Sequence, residues 1–69
     1  MAKKFKKNQL VVSNVTMAIS HGNFRTGEVL LYLGEIQQMP GHCIVVNNEG
    51  NVFWGYHTDN FREPREDEI

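Results

Sequence analysis

One β-hairpin is the clearest structural signal in this sequence, and it restricts what the rest of the chain can form. Residues 42–46 (HCIVV) and 52–56 (VFWGY) are two apolar runs on either side of the polar segment 47–51 (NNEGN). Val, Ile and aromatic residues favour strands, and Gly50 can adopt the left-handed backbone that hairpin loops use. We therefore predict two antiparallel strands joined by a short loop.

Two other segments also have the character of strands. Apolar and polar side chains alternate within residues 10–20 (LVVSNVTMAIS), which indicates a strand, and a helix with Val11, Val15 and Ala18 on one side is the less favoured alternative. Residues 29–36 (VLLYLGEI) form an almost continuous apolar run, typical of a central strand that is covered on both faces. Gly34 predicts a bulge or sharp bend within that run.

Turn signals separate these segments. Residues 39–41 (MPG) predict a type II turn, because Pro fixes φ and Gly accepts the positive φ of the third position. Residues 58–60 (TDN) predict a tight 3₁₀ turn, and Phe61 begins a short last strand that Pro64 ends. The whole pattern predicts an all-β fold, a small antiparallel barrel of about five short strands over residues 9–64, because closure removes exposed strand edges.

Charge is divided unevenly along the chain, although the formal net charge of its 69 residues is only -1. Residues 1–27 have five basic and no acidic side chains, whereas residues 28–69 have all eight acidic side chains and two arginines. We predict a basic flexible tail over residues 1–8 and an acidic frayed tail over residues 65–69. Clustered lysines can neutralise nucleic-acid phosphates, and the basic tail has Lys3, Lys4, Lys6 and Lys7.

Composition narrows the class of protein. Hydrophobic residues make up 41% of the chain and charged residues 22%, a balance typical of a globular domain. No apolar run approaches the length of a membrane-spanning helix, so we expect no membrane partner. The single cysteine, Cys43, cannot form an internal disulfide, which suits the reducing cytoplasm.

The sequence has no pattern that indicates catalysis or metal binding. The conceivable ligands His21, His42, His57 and Cys43 lack the short paired spacing of zinc sites. We predict neither a helix N-terminus nor a cationic neighbour that would activate the thiol of Cys43, and no two carboxylates are paired for acid–base chemistry. We therefore expect no enzyme, no cofactor and no metal site.

Residues 42–63 resemble the second half of an SH3-like barrel. In SH3 domains a hairpin leads into a strand ending in Gly-Tyr or Gly-Phe, followed by a 3₁₀ turn of sequence Pro-Ser-Asn-Tyr and a short closing strand. Here Gly55 and Tyr56 end the strand, and Asn60 and Phe61 stand where the family has Asn and Tyr. Upstream spacing is similar to that of KOW and Tudor-type barrels at Gly27, Val29, Leu31, Gly34 and Gly41.

The resemblance covers about residues 27–63 and implies a fold alone, because SH3-like barrels serve many functions. An SH3 peptide groove needs a Trp at the start of the strand before the hairpin loop, and His42 and Cys43 occupy that region. Thr58 replaces the turn proline, and the long acidic RT loop has no evident counterpart. We therefore do not expect recognition of proline-rich peptides.

The aromatic residues of 52–56 supply the candidate contact site. Side chains alternate along a strand, so Phe53 should point away from the direction of Trp54 and Tyr56. Either Phe53 is in the core and the other two form an exposed pair beside Asp59, or that pair is in the core. The partner strand does not decide between these interpretations, because neither side of residues 42–46 is clearly more apolar.

We expect a non-enzymatic module that docks on a protein partner as an accessory or inhibitory subunit, because exposed aromatic residues are typical binding anchors. Such a compact chain suits a bacterial or phage accessory protein. One alternative is a KOW- or Tudor-like nucleic-acid-binding protein that uses the lysine tail, and another is a structural homo-oligomer. The predicted partner-binding residues are Tyr32, Trp54, Tyr56, His57 and Asp59.

Overall fold

The computed structural model of the chain describes residues 4–19 and 22–68, with residues 17–19 and 22–23 as backbone only. These ranges contain short strands and two 3₁₀ turns, at Thr58–Asn60 and Glu66–Glu68, and no α-helix. The strands are β1 Gln9–Ser13, β2 Met17–Ile19, β3 Gly22–Phe24, β4 Val29–Glu35, β5 His42–Val46, β6 Val52–His57 and β7 Phe61–Arg62.

Five of the strands form one antiparallel sheet in the order β6-β5-β4-β1-β7, and β2 pairs with β3 in a separate hairpin. The prediction of an all-β fold with about five antiparallel strands is therefore confirmed for the described residues. Within those residues no ladder joins β6 to β7, so these two strands are the edges of the sheet.

The β5–β6 hairpin and its flanking turns follow the sequence closely. The His42 N–H donates to the carbonyl of Met39 at 2.9 Å, and Gly41 has φ +83°, which is the predicted type II turn. The loop after β5 is closed by the Asn47 side chain, whose Oδ1 accepts from the N–H groups of Glu49 and Asn51. The 3₁₀ turn at Thr58–Asn60 and the short last strand are also confirmed.

Residues 10–20 do not form the single strand that their alternation predicts. β1 ends at Ser13, and β2 starts at Met17 in the other sheet. The Ser13 hydroxyl accepts from the N–H of Val15 and donates to the carbonyl of the same residue. A serine side chain that bonds nearby backbone in this way competes with the strand ladder and turns the chain.

β4 is the central strand of the sheet, with β5 on one side and β1 on the other. Its register changes between Tyr32, opposite Val45, and Gly34, opposite Ile44, so that Leu33 is the extra residue of a bulge. The predicted irregularity at Gly34 is therefore confirmed.

The hydrophobic core lies on the face of the five-stranded sheet against which Phe24 packs. Phe24, at the end of β3, is fully buried, and its ring centre lies 5.0 Å from that of Phe53 and 5.7 Å from those of Tyr56 and Phe61. We call the sheet face that contacts Phe24 the inner face. Its other core residues are Val11, Leu30, Tyr32, Cys43 and Val45.

The segments at both ends of the described residues contact the sheet. The Asn8 N–H donates to the carbonyl of Tyr32 at 2.7 Å, and the Phe5 ring packs edge-on against the Tyr32 ring with centres 5.5 Å apart. At the other end, the guanidinium of Arg62 donates two hydrogen bonds to the carboxylate of Glu68. The flexibility of residues 1–8 and 65–69 stays a prediction. Within these segments, Phe5, Asn8 and Glu68 make the contacts with the sheet described above.

Candidate functional site

The sheet face opposite Phe24 is apolar and only partly covered by the described chain. Strand register assigns residues to this face, because side chains directly opposite each other in a ladder point the same way. We call it the outer face, and it consists of Leu10, Val12, Val29, Leu31, His42, Ile44, Val46, Val52, Trp54, His57 and Arg62.

One row of the outer face crosses four strands without a polar side chain. Leu10 of β1 is opposite Leu31 of β4, which is opposite Val46 of β5, which in turn is opposite Val52 of β6. Leu10 is 37% exposed and Val52 is 46% exposed. The apolar run of β4 is therefore well covered on its inner side but only half covered on its outer side.

Trp54 is the most exposed large apolar side chain of the described residues. It lies opposite Ile44 on the outer face, and 64% of its surface is accessible. Its neighbour Phe53 is 1% exposed and belongs to the core. An exposed tryptophan beside partly buried aliphatic residues can anchor a partner, because its large flat ring buries much area for little loss of conformational freedom.

Tyr56 does not share the face of Trp54, so neither interpretation of this pair is correct as predicted. The β5–β6 register passes from Ile44 opposite Trp54 to Cys43 opposite Tyr56, which leaves Gly55 as an extra residue. Gly55 has φ +90°, a conformation that glycine adopts without the steric cost of a Cβ atom. This bulge keeps Trp54 in solvent while it turns Tyr56 toward Phe24.

Tyr32, another predicted contact residue, lies on the inner face. It is only 4% exposed, and Phe5 packs against its ring. Burial, followed by the nearby charges of Cys43 and Glu35, raises the pKa of its phenol. Tyr32 and Tyr56 thus both pack on the inner face, away from Trp54.

His57 and Asp59 lie at the end of the outer face, where β6 enters the 3₁₀ turn. His57 is opposite His42 in the β5–β6 ladder, and its Nδ1 accepts from the backbone N–H of Asp59 at 3.1 Å. The Asp59 carboxylate lies 3.5 Å from the same Nδ1. Of the predicted contact residues, Trp54, His57 and Asp59 are therefore brought to one side of the molecule.

Charge is almost absent from the outer face. Its single ionic side chain, Arg62, is opposite Val12 and is neutralised by Glu68, with a shortest N–O distance of 2.7 Å. Val12 is fully buried, unlike its other cross-strand neighbour Val29, which is half-buried. The segment around Glu68 therefore lies at the β1–β7 edge of the outer face, away from Trp54 on β6.

From the Arg62–Glu68 pair we predict how the stability of the folded protein depends on pH. Hydrogen bonds from Arg62 and from the Arg65 N–H lower the pKa of Glu68 to about 2. Because the folded pKa is below the ordinary value, the stabilisation is complete above about pH 4.5 and is lost as the pH falls toward 2. Glu68→Gln should lower the melting temperature at pH 7, and the two proteins should converge near pH 2. A constant gap across that range would contradict the assignment.

We expect Cys43 to be an unreactive thiol in this environment. It is fully buried, its Sγ lies 3.4 Å from the Tyr56 carbonyl, and burial followed by the charge of Glu35 raises its pKa to about 11. Because the thiolate is the reactive form, alkylation at pH 8 should be at least about 100-fold slower than in urea-unfolded protein. Mass spectrometry of iodoacetamide time courses measures both rates, and similar rates would contradict the burial of Cys43.

Two lysines of the N-terminal segment border the outer face, Lys6 beside Leu10 and Lys7 beside Ile44. Lys4, Lys6 and Lys7 are exposed, and none of them is in an ion pair within the described residues. Lys7 lines a shallow depression with Leu33 and Ile44, the residue opposite Trp54. Lys3 and the histidine at position 21 lie outside the described residues.

Sequence reasoning missed the apolar row of the outer face, namely Leu10, Leu31, Val46 and Val52. A signal for it was present, because both sides of residues 42–46 are apolar. An antiparallel strand with one solvated face usually alternates between apolar and polar residues. The absence of that alternation indicates a sheet with two apolar faces.

Comparisons with models of protein families, with curated proteins and with solved structures found no match to this chain. Among the helical segments of residues 4–19 and 22–68, none has the length and apolar character needed to cross a bilayer. Nor do these ranges contain a group of three or more His, Cys, Asp or Glu side chains placed to hold a metal ion.

Proposed function

We propose that this protein is a non-enzymatic binding module that docks on a protein partner through its outer face, as an accessory or inhibitory subunit. The observation that carries the proposal is Trp54, 64% exposed on a face whose one ionic ladder residue, Arg62, is paired with Glu68. Protein interfaces are enriched in aromatic residues and depleted of charge at their centres, with polar groups at the rim. Asp59, half exposed beside His57, supplies such a rim.

We further propose that the fold is of the SH3-like barrel type. Support comes from the order of elements after β5: a hairpin, a strand containing Gly55 and Tyr56, a 3₁₀ turn, and a short strand β7 that pairs with β1. The connection from β1 to β4 has a hairpin of its own but a single acidic residue, Glu28. The contact face proposed here is therefore not a groove for proline-rich peptides.

Photo-crosslinking tests the docking proposal directly. A photoreactive phenylalanine at position 54 should give one discrete adduct in an extract of the source cells, while the same group at the exposed position 37 should not. Trp54→Ala should weaken the isolated complex by about 30-fold or more, as expected of a hot spot. Equal adducts from both positions, or none, would contradict the proposal. An adduct of twice the mass of the chain would identify a second copy as the partner, which is the homo-oligomer alternative.

Nucleic-acid binding is the second candidate, favoured by the position of Lys7 beside Ile44 and hence near Trp54. Proteins that bind single strands combine cationic side chains with aromatic rings on which bases stack. Replacement of all four lysines by Gln keeps Phe5, whose ring packs on Tyr32, and should abolish binding of short RNA or DNA at low salt. The affinity of the unmodified protein should fall steeply as salt rises. No binding at low salt would eliminate this candidate.

A further inference from the structure

Two histidines that are distant in sequence stand side by side at one end of the outer face. His42 and His57 are directly opposite in the β5–β6 ladder, and their ring centres are 5.2 Å apart with the ring planes nearly perpendicular. His42 is half-buried, and 40% of the His57 side chain is exposed. Solvent and small ions can therefore reach the pair.

The surroundings of His42 leave its Nε2 atom available. Its Nδ1 lies 3.2 Å from the carbonyl oxygen of Pro40. A carbonyl oxygen only accepts, so the hydrogen bond requires the proton on Nδ1 and leaves the lone pair on Nε2. Histidines that bind metals commonly donate their other ring N–H to a backbone carbonyl in this way.

His57 has two partners for its Nδ1, and they correspond to two tautomers. With the proton on Nε2, Nδ1 accepts from the Asp59 N–H at 3.1 Å. With the proton on Nδ1, the ring gives up the hydrogen bond from the Asp59 N–H and can instead donate to the Asp59 carboxylate, whose Oδ2 is 3.5 Å away, and the lone pair is then on Nε2. A carboxylate that accepts from one ring N–H orients a histidine to bind a metal through its other nitrogen.

We propose that His42 and His57 form a binding site for a borderline divalent transition-metal ion, such as Zn²⁺, Ni²⁺ or Cu²⁺, held through both Nε2 atoms. Two imidazoles on one tetrahedral ion, with bonds of about 2.1 Å, have ring centres about 5 Å apart. The observed 5.2 Å already agrees with that spacing. Convergence of both Nε2 atoms on one ion requires a change in the orientation of the rings, which the partial exposure of both side chains allows.

Two ligands leave the remaining positions of the ion open. Water fills them in the isolated chain, and a side chain of a docked partner can replace that water, because the pair lies on the same face as Trp54. Imidazole ligands select Zn²⁺, Ni²⁺ and Cu²⁺ over Mg²⁺ and Ca²⁺, which prefer oxygen. The rule of short paired spacing missed this site because the two histidines meet only through strand pairing.

The fluorescence of Trp54 can report metal binding at this site, because Trp54 is the single tryptophan and lies on the same strand as His57. Cu²⁺ should quench the tryptophan fluorescence in a saturable titration, and Zn²⁺ measured by calorimetry should bind with one-to-one stoichiometry. In an NMR titration with Zn²⁺, the imidazole signals of His42 and His57 should move together, while those of His21 stay in place.

Substitutions distinguish a defined site at His42 and His57 from the affinity that any exposed histidine has for these metal ions. Asp59→Asn should weaken Zn²⁺ binding about 10-fold, as expected when a supporting carboxylate is removed. His42→Gln and His57→Gln should each weaken it further, whereas His21→Gln is the matched control and should leave the affinity unchanged. Equal losses from all three Gln substitutions, competition by Mg²⁺, or no binding at about 1 mM metal would overturn the proposal. Docking through Trp54 is tested separately by crosslinking, so either proposal can fail alone.

Discussion

Replacement of Phe24 by Ala should remove about 3–5 kcal/mol of folding free energy, which is most of what a small domain has. Phe24 is fully buried and its ring contacts those of Phe53, Tyr56 and Phe61, so it joins the β2–β3 hairpin to the sheet. A chain of this size is stabilised by roughly 3–10 kcal/mol. We therefore expect Phe24→Ala to be largely unfolded at 37 °C, as measured by circular dichroism during heating and urea titration.

Trp54→Ala is the matched control for this prediction. It removes a larger ring, but one that is 64% exposed, so the free energy of unfolding should change by less than about 1 kcal/mol. Similar losses in the two variants would mean that Trp54 is also a core residue. A cooperative transition of Phe24→Ala near that of the unmodified protein would show that the hairpin does not depend on this ring.

The elements that depend on neighbouring residues could be predicted from the sequence. Pro40 and Gly41 determine their turn through allowed values of φ, and the Asn47 side chain closes its loop over four residues. The bulge in β4 follows from Gly34 within an apolar run. Each of these features depends on the conformational preferences of a few adjacent residues, which one sequence contains.

The position of the site depends on two features that local preference does not fix. A one-residue bulge reverses which side of a strand faces the core, and in VFWGYH the residue responsible, Gly55, also fits an ordinary strand end. Ser13 ends β1 because its hydroxyl bonds the backbone of Val15, a choice that alternation alone does not reveal. Strand parity could therefore predict that Phe53 and Trp54 diverge, but not that Tyr56 returns to the core.

The proposed docking face and the histidine pair both depend on the register of the strands. Both arise where β4, β5 and β6 present side chains that are distant in sequence but adjacent in register. Leu31 and Val52 become neighbours of Val46, and His57 becomes the neighbour of His42, only when the ladder forms. A single sequence can supply the residues of such a surface, but their juxtaposition requires the pairing of the sheet.

Tyr56→Ala should destabilise the protein by about 2–4 kcal/mol, unlike the same change at Trp54. Tyr56 is half-buried, its ring centre is 5.7 Å from that of Phe24 at nearly a right angle, and its backbone carbonyl contacts the Cys43 thiol. Edge-to-face aromatic pairs add about 0.5–1.5 kcal/mol to the area that they bury. The melting temperature should fall by roughly 10 °C or more for a domain of this size.

Tyr56→Phe separates the ring from the hydroxyl. It keeps the contact with Phe24 and should lie within about 1 kcal/mol of the unmodified protein. Gly55 turns Tyr56 inward, so Tyr56→Ala should lose partner binding only in proportion to the fraction of protein that unfolds. Trp54→Ala should lose partner binding while the protein stays folded. If Tyr56→Ala instead keeps its melting temperature and loses the partner, the bulge does not separate the two rings, and Tyr56 belongs to the docking face.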